Sequence, residues 1–319
     1  MKKLLLIGLR YHHYTDEIVR ELGNMGYQVS FHEIQPRTLF FKTLRVLAPK
    51  LYQRQLDRHH SAILAHEQGK QYDVVLFIQT HQFSIANLAA LRRQHAGARF
   101  VLYNWDAVTT HDYRAHMAHF DRVATFDPDD ARALAVHYLP LFCIAPFQNL
   151  NKQQQQRAIY FVGNIVSVQR YLALQEFKQH CQQIGISFHC YMACSVLVLT
   201  RLLRRGIVPF DVSLRSIPHA DFIAMIERSS AVFDFANHQQ SGFTMRTIEN
   251  LCAGKKLITN NPRVLNQPFY SDDRILVVND LEFSQVGQFM DQALRAPDAD
   301  FPEYHIKSFL ADLLELKNP

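Results

Sequence analysis

The chain has 319 residues, 48% of them hydrophobic and 20% charged, which excludes disordered and low-complexity classes and allows about two buried cores. Its 11 glycines are about half the usual 7% share, so a collagenous chain is excluded as well. The net charge of +5 sits mainly in residues 1–150, where 17 Lys/Arg face 13 Asp/Glu. That excess is too small to demand nucleic acid, but it suits an acidic surface or a phosphate-bearing ligand.

The opening segment Met1–Arg10 has a basic start and a short apolar core without a small-residue cleavage site. It reads as a first β-strand rather than a signal peptide. Apolar runs then alternate with helical patterns, the signature of βαβ units on a parallel sheet. Strands are predicted at 3–8, 28–32, 74–78, 100–104, 122–126 and 138–142. Helices are predicted at 14–25, 38–67 (interrupted by Pro49), 84–95, 108–119 and 128–136. Asp127-Pro128-Asp129-Asp130 supplies an N-cap, a first-turn proline and two acids at the positive dipole end of the last of these.

The polar tract 148–157 reads as a linker, and the alternation then restarts. Strands are predicted at 159–162, 187–191, 231–235, 256–259 and 275–278, with helices at 167–183, 195–204, 219–228, 243–252 and 281–294. A last helix spans about 302–316. The expected organisation is a first domain over 1–147, a second over 158–300, and a C-terminal helix over 301–319. The longest nearly apolar run, 192–200, is under half of a bilayer crossing. Five cysteines, odd in number and in apolar or helical contexts, read as reduced thiols of a cytoplasmic protein, and Cys190-x3-Cys194 lacks the second pair that zinc needs.

Several motifs are missing. The first strand-to-helix turn, Gly8-Leu-Arg-Tyr-His12-His13-Tyr14, has one glycine, so the dinucleotide fingerprint is absent. There is no P-loop, no nucleophile elbow and no H-E-x-x-H. His12 still leaves the carboxyl end of the first strand, where such sheets hold ligands, so it stands as a candidate base or a solvated loop residue.

The richest segment runs from His238 to Thr259. A strand leads through Ser241-Gly242 into a helix, and there Gly242 would let a ligand approach the backbone while free N–H groups attract an anion. Ser241 and Thr244 add hydroxyls, and Glu249 could accept from sugar hydroxyls. The alternative is an ordinary helix cap. Gly163-Asn164 after the strand at 159–162 offers a second close approach, with Arg170 and Arg246 as cations to neutralise a leaving group. Asp106, at the end of a parallel strand, is the best-placed carboxylate to accept a proton, with His111 beside it; it also reads as a helix cap. The stretch Arg37–Arg58 mixes six cations, one acid and many apolar residues. It fits an amphipathic helix resting on anionic headgroups, or one packed on the core. Arg201-Leu-Leu-Arg-Arg205 is a weaker instance of the same pattern.

Residues Ser241–Thr259 resemble the donor-binding helix of GT-B glycosyltransferases. In that family's pattern two glutamates stand eight positions apart before Ala-x-Gly and a strand. Glu249 matches the second, which holds the nucleotide ribose, while Ser241 stands where the first would be. The chain also resembles transferases of bacterial surface-polysaccharide gene clusters, including lipopolysaccharide and capsule clusters, in 241–249, 255–261, Tyr103-Asn-Trp-Asp106, Phe126–Asp130 and Leu139–Phe142. The resemblance implies an α/β, GT-B-like fold of two Rossmann-like, doubly wound parallel-sheet domains facing a cleft. It implies transfer of a sugar from a nucleoside diphosphate sugar to a saccharide or lipid-linked acceptor. No metal or other cofactor is expected, since no Asp-x-Asp pair in a strand-end loop offers the usual cation bridge, and the small charge excess leads us to expect no nucleic acid partner. Gly163, Asn164, Ser241, Gly242, Thr244, Arg246 and Glu249 would bind the donor, and Asp106, His12 and Arg170 would serve catalysis. The expected location is cytoplasmic, peripheral on the inner face of the membrane. A sugar-nucleotide epimerase or hydrolase on the same scaffold, or a non-catalytic partner of another transferase, are the alternatives.

Overall fold

A computed structural model describes residues 1–11, 13–148, 150, 157–235 and 241–316. The chain divides into two compact units. One holds residues 1–141 with Ser241, Gly242, Phe243 and the C-terminal segment from Ile306; the other holds residues 142–235 and 244–305.

The first unit contains, in order, β1 (Lys2–Gly8), α1 (Tyr14–Asn24), β2 (Tyr27–Glu33), α2 (Leu39–Leu47), α3 (Pro49–Glu67), β3 (Val74–Ile78), α4 (Ile85–Gln94), β4 (Arg99–Asn104), β5 (Arg122–Thr125), α5 (Pro128–Leu134) and β6 (His137–Tyr138). The second contains α6 (Ala145–Gln148), β7 (Ala158–Ile165), α7 (Val168–Gln183), β8 (Ser187–Cys194), α8 (Val196–Arg204), β9 (Val212–Ser213), α9 (His219–Glu227), β10 (Ala231–Asp234), α10 (Met245–Cys252), β11 (Lys256–Thr259), β12 (Ile275–Val277) and α11 (Val286–Asp291). Helix α12 (Ile306–Leu313) returns to the first unit.

Each unit is built on a six-stranded sheet, in the orders β2-β1-β3-β4-β5-β6 and β12-β11-β10-β7-β8-β9, and every strand pair is parallel. Parallel strands are covered on both faces and therefore read as continuous apolar runs. Leu4, Leu5, Leu6 and Ile7 of β1 and Val75, Leu76 and Phe77 of β3 are all completely buried. In the second unit Phe177 of α7 stacks on Phe233 of β10 with ring centroids 4.0 Å apart, joining the helix layer to the sheet. Helix α12 packs against α1, and its Phe309 meets the edge of Tyr103 at 4.8 Å.

Four predicted elements come out shorter. The helix expected over 108–119 is only a 3-10 turn at Arg114–His119. Asp130 captures the Val108 N–H at 2.7 Å and Asp112 captures that of Arg114 at 3.0 Å, so side chains take donors a helix would use. The strand expected to reach Phe142 stops at Tyr138, ahead of Pro140, which has no N–H to give a sheet. The helix expected over 281–294 is confined to α11, after a left-handed backbone at Asp280 and Leu281. The last helix is a 3-10 turn at Pro302–Tyr304 followed by α12. Most of the predicted linker, residue 149 and residues 151–156, lies outside the described residues.

Candidate functional site

In the second unit the carboxyl edge of the sheet gathers two guanidinium groups above two buried carboxylates. Strand β10 ends in Asp234, which is buried and accepts from Thr244 Oγ1 at 2.6 Å and Thr247 Oγ1 at 3.0 Å. Thr244 is also the N-cap of α10, accepting the Thr247 N–H at 3.2 Å. Burial raises the Asp234 pKa; the two threonine hydroxyls and the charges of Arg170 and Arg246 oppose it.

Arg170 sits in the first turn of α7, whose N-cap Ser167 accepts the Arg170 N–H. Its guanidinium lies 5.5 Å from the Phe161 ring and 5.8 Å from that of Phe235. Burial lowers its pKa and Asp234 opposes the shift. Its Nε is shielded from water and has no hydrogen-bond partner among the described residues. Such a donor is costly unless something accepts from it. A Cβ added at Gly163 would stand 2.8 Å from Phe161 Cζ and 3.4 Å from Arg170 Nη2, so the glycine leaves room for both groups.

Arg246, in the first turn of α10, donates from Nε to the Val162 carbonyl at 3.3 Å and lies 4.2 Å from the Phe222 ring. It also donates to Glu249, whose side chain is buried. The Tyr160 hydroxyl and the Asn250 amide pair behind it. The structure thus brings Gly163, Arg170, Thr244, Arg246 and Glu249 to one edge. Two details differ from expectation. Gly163 and Asn164 continue β7, paired with Met192 and Ala193 of β8, rather than forming a turn. Thr244, expected to serve a ligand, is committed to Asp234 and to its own helix.

Ser241 and Gly242 belong elsewhere. They pack in the first unit, where Asp127 accepts from the Ser241 N–H at 2.6 Å, the Gly242 N–H at 3.2 Å and the Ser241 hydroxyl. Asp127 simultaneously caps α5, accepting from the Asp129 and Asp130 N–H groups at 3.0 and 3.1 Å. The donors that sequence offered to an anion already hold a carboxylate. A Cβ on Gly242 would lie 2.5 Å from the Phe126 ring and 2.7 Å from its carbonyl oxygen; the close approach is to the protein itself.

Asp106 follows β4 in the first unit. Gln79 donates to its Oδ2, and His111 Nε2 lies 3.8 Å from the same oxygen. Gln79 is buried with a left-handed φ of 66°, a conformation that costs energy for a residue with a side chain. His81 stacks on His111 at 3.7 Å with the ring planes nearly parallel. Burial, with His111 and His116, pushes the His81 pKa down to about 4. His12 lies outside the described residues.

Sequence reading missed Asp234, although an acid closing the apolar run Ala-Val-Phe is visible in it. It also missed Gln79 and the convergence on Glu67. There His32 Nε2 and His66 Nδ1 reach the buried Oε1 at 2.6 and 2.7 Å, and Lys70 reaches it at 3.2 Å. Ligands sharing a tetrahedral zinc stand about 3.3 Å apart, so these are hydrogen-bond spacings, and Lys70 supplies the cation.

Two six-stranded parallel sheets, each wound with helices, define the GT-B fold of two Rossmann-like domains. Among solved structures, an α-glucosyltransferase in complex with UDP and a 13-mer DNA is similar over 98% of this chain and 95% of its own, with TM-score 0.62 and 12% identity. WaaB, a lipopolysaccharide outer core galactosyltransferase in its apo form, is similar over 98% and 99%, with TM-score 0.57 and 10% identity. UDP-GlcNAc 2-epimerase from Neisseria meningitidis, bound to UDP-GlcNAc, is similar over 99% and 100%, with TM-score 0.59 and 10% identity. No protein-family model matches the sequence, and no curated protein matches it significantly.

Proposed function

We propose that this protein is a metal-independent glycosyltransferase that moves a sugar from a nucleoside diphosphate sugar to a saccharide or lipid-linked acceptor of bacterial surface polysaccharide. The observation that carries the reading is the pair Arg170 and Arg246 at the carboxyl edge of the second sheet. This is where open α/β folds hold ligands, and solved neighbours of this fold carry UDP or UDP-GlcNAc. A guanidinium there meets the charge that grows on the leaving diphosphate, and the shielded Arg170 Nε gains the acceptor it lacks. Glu249, oriented by Arg246, receives the ribose hydroxyls. The first unit takes the acceptor, and Asp106 removes the proton of its hydroxyl as that oxygen attacks the anomeric carbon and the bond to phosphate breaks.

The chain works in the cytoplasm at the inner membrane face, through α2 and α3. Helix α2 buries none of its residues; Leu39 and Leu47 are 80% and 76% exposed, beside Arg37, Lys42, Arg45 and Lys50. Among the described residues no helix is long and apolar enough to cross a membrane, so the contact is with the surface.

A thermal-shift panel of nucleotides tests the donor site. A ligand that binds the folded state alone adds about 2.7 kcal/mol at a hundredfold excess over Kd. Glu249→Gln is expected to weaken the best nucleotide about tenfold, or ~1.4 kcal/mol. No shift with any nucleotide sinks the assignment. The likeness to a UDP-GlcNAc 2-epimerase supports a second reading, an epimerase, which conversion of a nucleotide sugar without any acceptor would establish instead.

A further inference from the structure

The second unit carries an exposed apolar and basic surface that the donor site does not use. Helix α8 turns Val198 and Leu202 into the core and presents Val196, Leu197 and Leu203 to solvent, the first two at 64% and 60% exposure. The segment that follows adds Val208, Leu214 and Phe210, which is 94% exposed. Arg201, Arg204, Arg205 and Arg215 surround these side chains; all four are exposed and none forms an ion pair among the described residues. The one acid between residues 195 and 217 is Asp211, already held by Lys178 at 2.9 Å and Gln175 at 3.1 Å. The surface therefore presents uncompensated positive charge around aliphatic groups that water does not favour.

We infer that residues 196–215 form a second membrane contact, in which Phe210 and the α8 aliphatics enter an anionic bilayer surface while the arginines meet lipid phosphates. The charge selects the occupant. Self-association through a two-fold contact sets this patch against its own copy, placing arginines against arginines. A nucleic acid would satisfy the arginines but stacks its bases on aromatic rings, and here five of the six exposed apolar residues are aliphatic. Anionic headgroups over acyl chains match both halves of the surface. The inference rests on the reading of a membrane-associated enzyme but on a different surface from α2.

The test uses the full chain with its one tryptophan replaced, Trp105→Phe, and a single reporter then introduced, Phe210→Trp or, separately, Leu39→Trp. Each is mixed with phosphatidylethanolamine vesicles, with or without phosphatidylglycerol. A blue shift of the Phe210→Trp emission with anionic vesicles alone, reversed by salt, is the expected result. Arg201→Glu with Arg204→Glu is expected to weaken sedimentation with these vesicles about tenfold at an unchanged melting temperature. A shift at Leu39→Trp without one at Phe210→Trp overturns this inference and leaves the α2 contact standing. Silence at both positions overturns both. If Phe210→Ser converts an oligomer to a monomer in lipid-free buffer, the surface is a self-contact and the inference fails.

Discussion

The carboxyl edges of the two sheets are built on the same scaffold and carry opposite chemistry. In the second unit Arg170 and Arg246 lie near Asp234 and Glu249, and one arginine nitrogen is shielded without a partner among the described residues. In the first unit the corresponding edge holds Asp106, a strained Gln79 and two stacked histidines. A parallel sheet places loops at one end whatever their sequence; the side chains there decide what is bound. The cationic, desolvated edge suits a diphosphate. The edge with a carboxylate beside an amide and two imidazoles suits a hydroxyl that must lose a proton.

Removing the charge of Asp106 is the sharpest way to break this contrast. Asp106→Asn keeps the shape and the contact with Gln79 but ends proton acceptance. Turnover is expected to fall by about 10²–10⁴ while nucleotide affinity stays within about twofold. If turnover is unchanged, Asp106 is not the base. If nucleotide affinity falls with it, the two edges do not divide the labour as argued.

The opposite edge gives the next effect. On the proposed leaving-group role, Arg170→Ala is expected to lower kcat by about 10²–10³. Arg170→Lys recovers part of that, because it restores the charge without the planar fork. An alanine variant that raises KM alone assigns Arg170 to ground-state binding and removes the leaving-group role.

How much of this was legible depended on the range of the interaction. The strands could be read because each is a continuous apolar run, and Arg170 could be placed because Ser167 caps a helix three residues earlier. Glu249 was read correctly as part of α10, but its pairing with Arg246 was not seen, although the two stand three apart on one helix. Ser241 and Gly242 misled for a different reason. Their partner Asp127 is 114 residues away from Ser241 in sequence, and no local pattern announces it. A glycine before a helix signals close approach, not what approaches.

That lesson has its own test, smaller in size. Gly242→Ala forces a methyl against Phe126, including its backbone oxygen, and is expected to cost about 1–3 kcal/mol of stability. Gly163→Ala meets only the far end of Phe161 and the Arg170 guanidinium, which can move. It should leave thermal stability near wild type and weaken donor binding instead. Equal losses of stability in both would mean that the two glycines play the same part.

The smallest effect concerns protons at the first edge. The His81 pKa is lowered to about 4 from an ordinary 6.5 by burial and by His111 and His116. Between those values the unfolded chain holds a proton that the folded one refuses, so stability rises with pH across the window. Its contribution is complete above pH 6.5 and is lost as pH falls toward 4. With its partial exposure the size is on the order of 1–2 kcal/mol. His81→Gln should flatten the slope of stability against pH by about one proton between pH 4.5 and 6, measured by denaturant titration. An unchanged slope would mean that His81 is protonated in the folded state. A positive charge would then stand against the ring of His111, which lies 3.8 Å from Asp106, and the proton-accepting role of Asp106 would lose support.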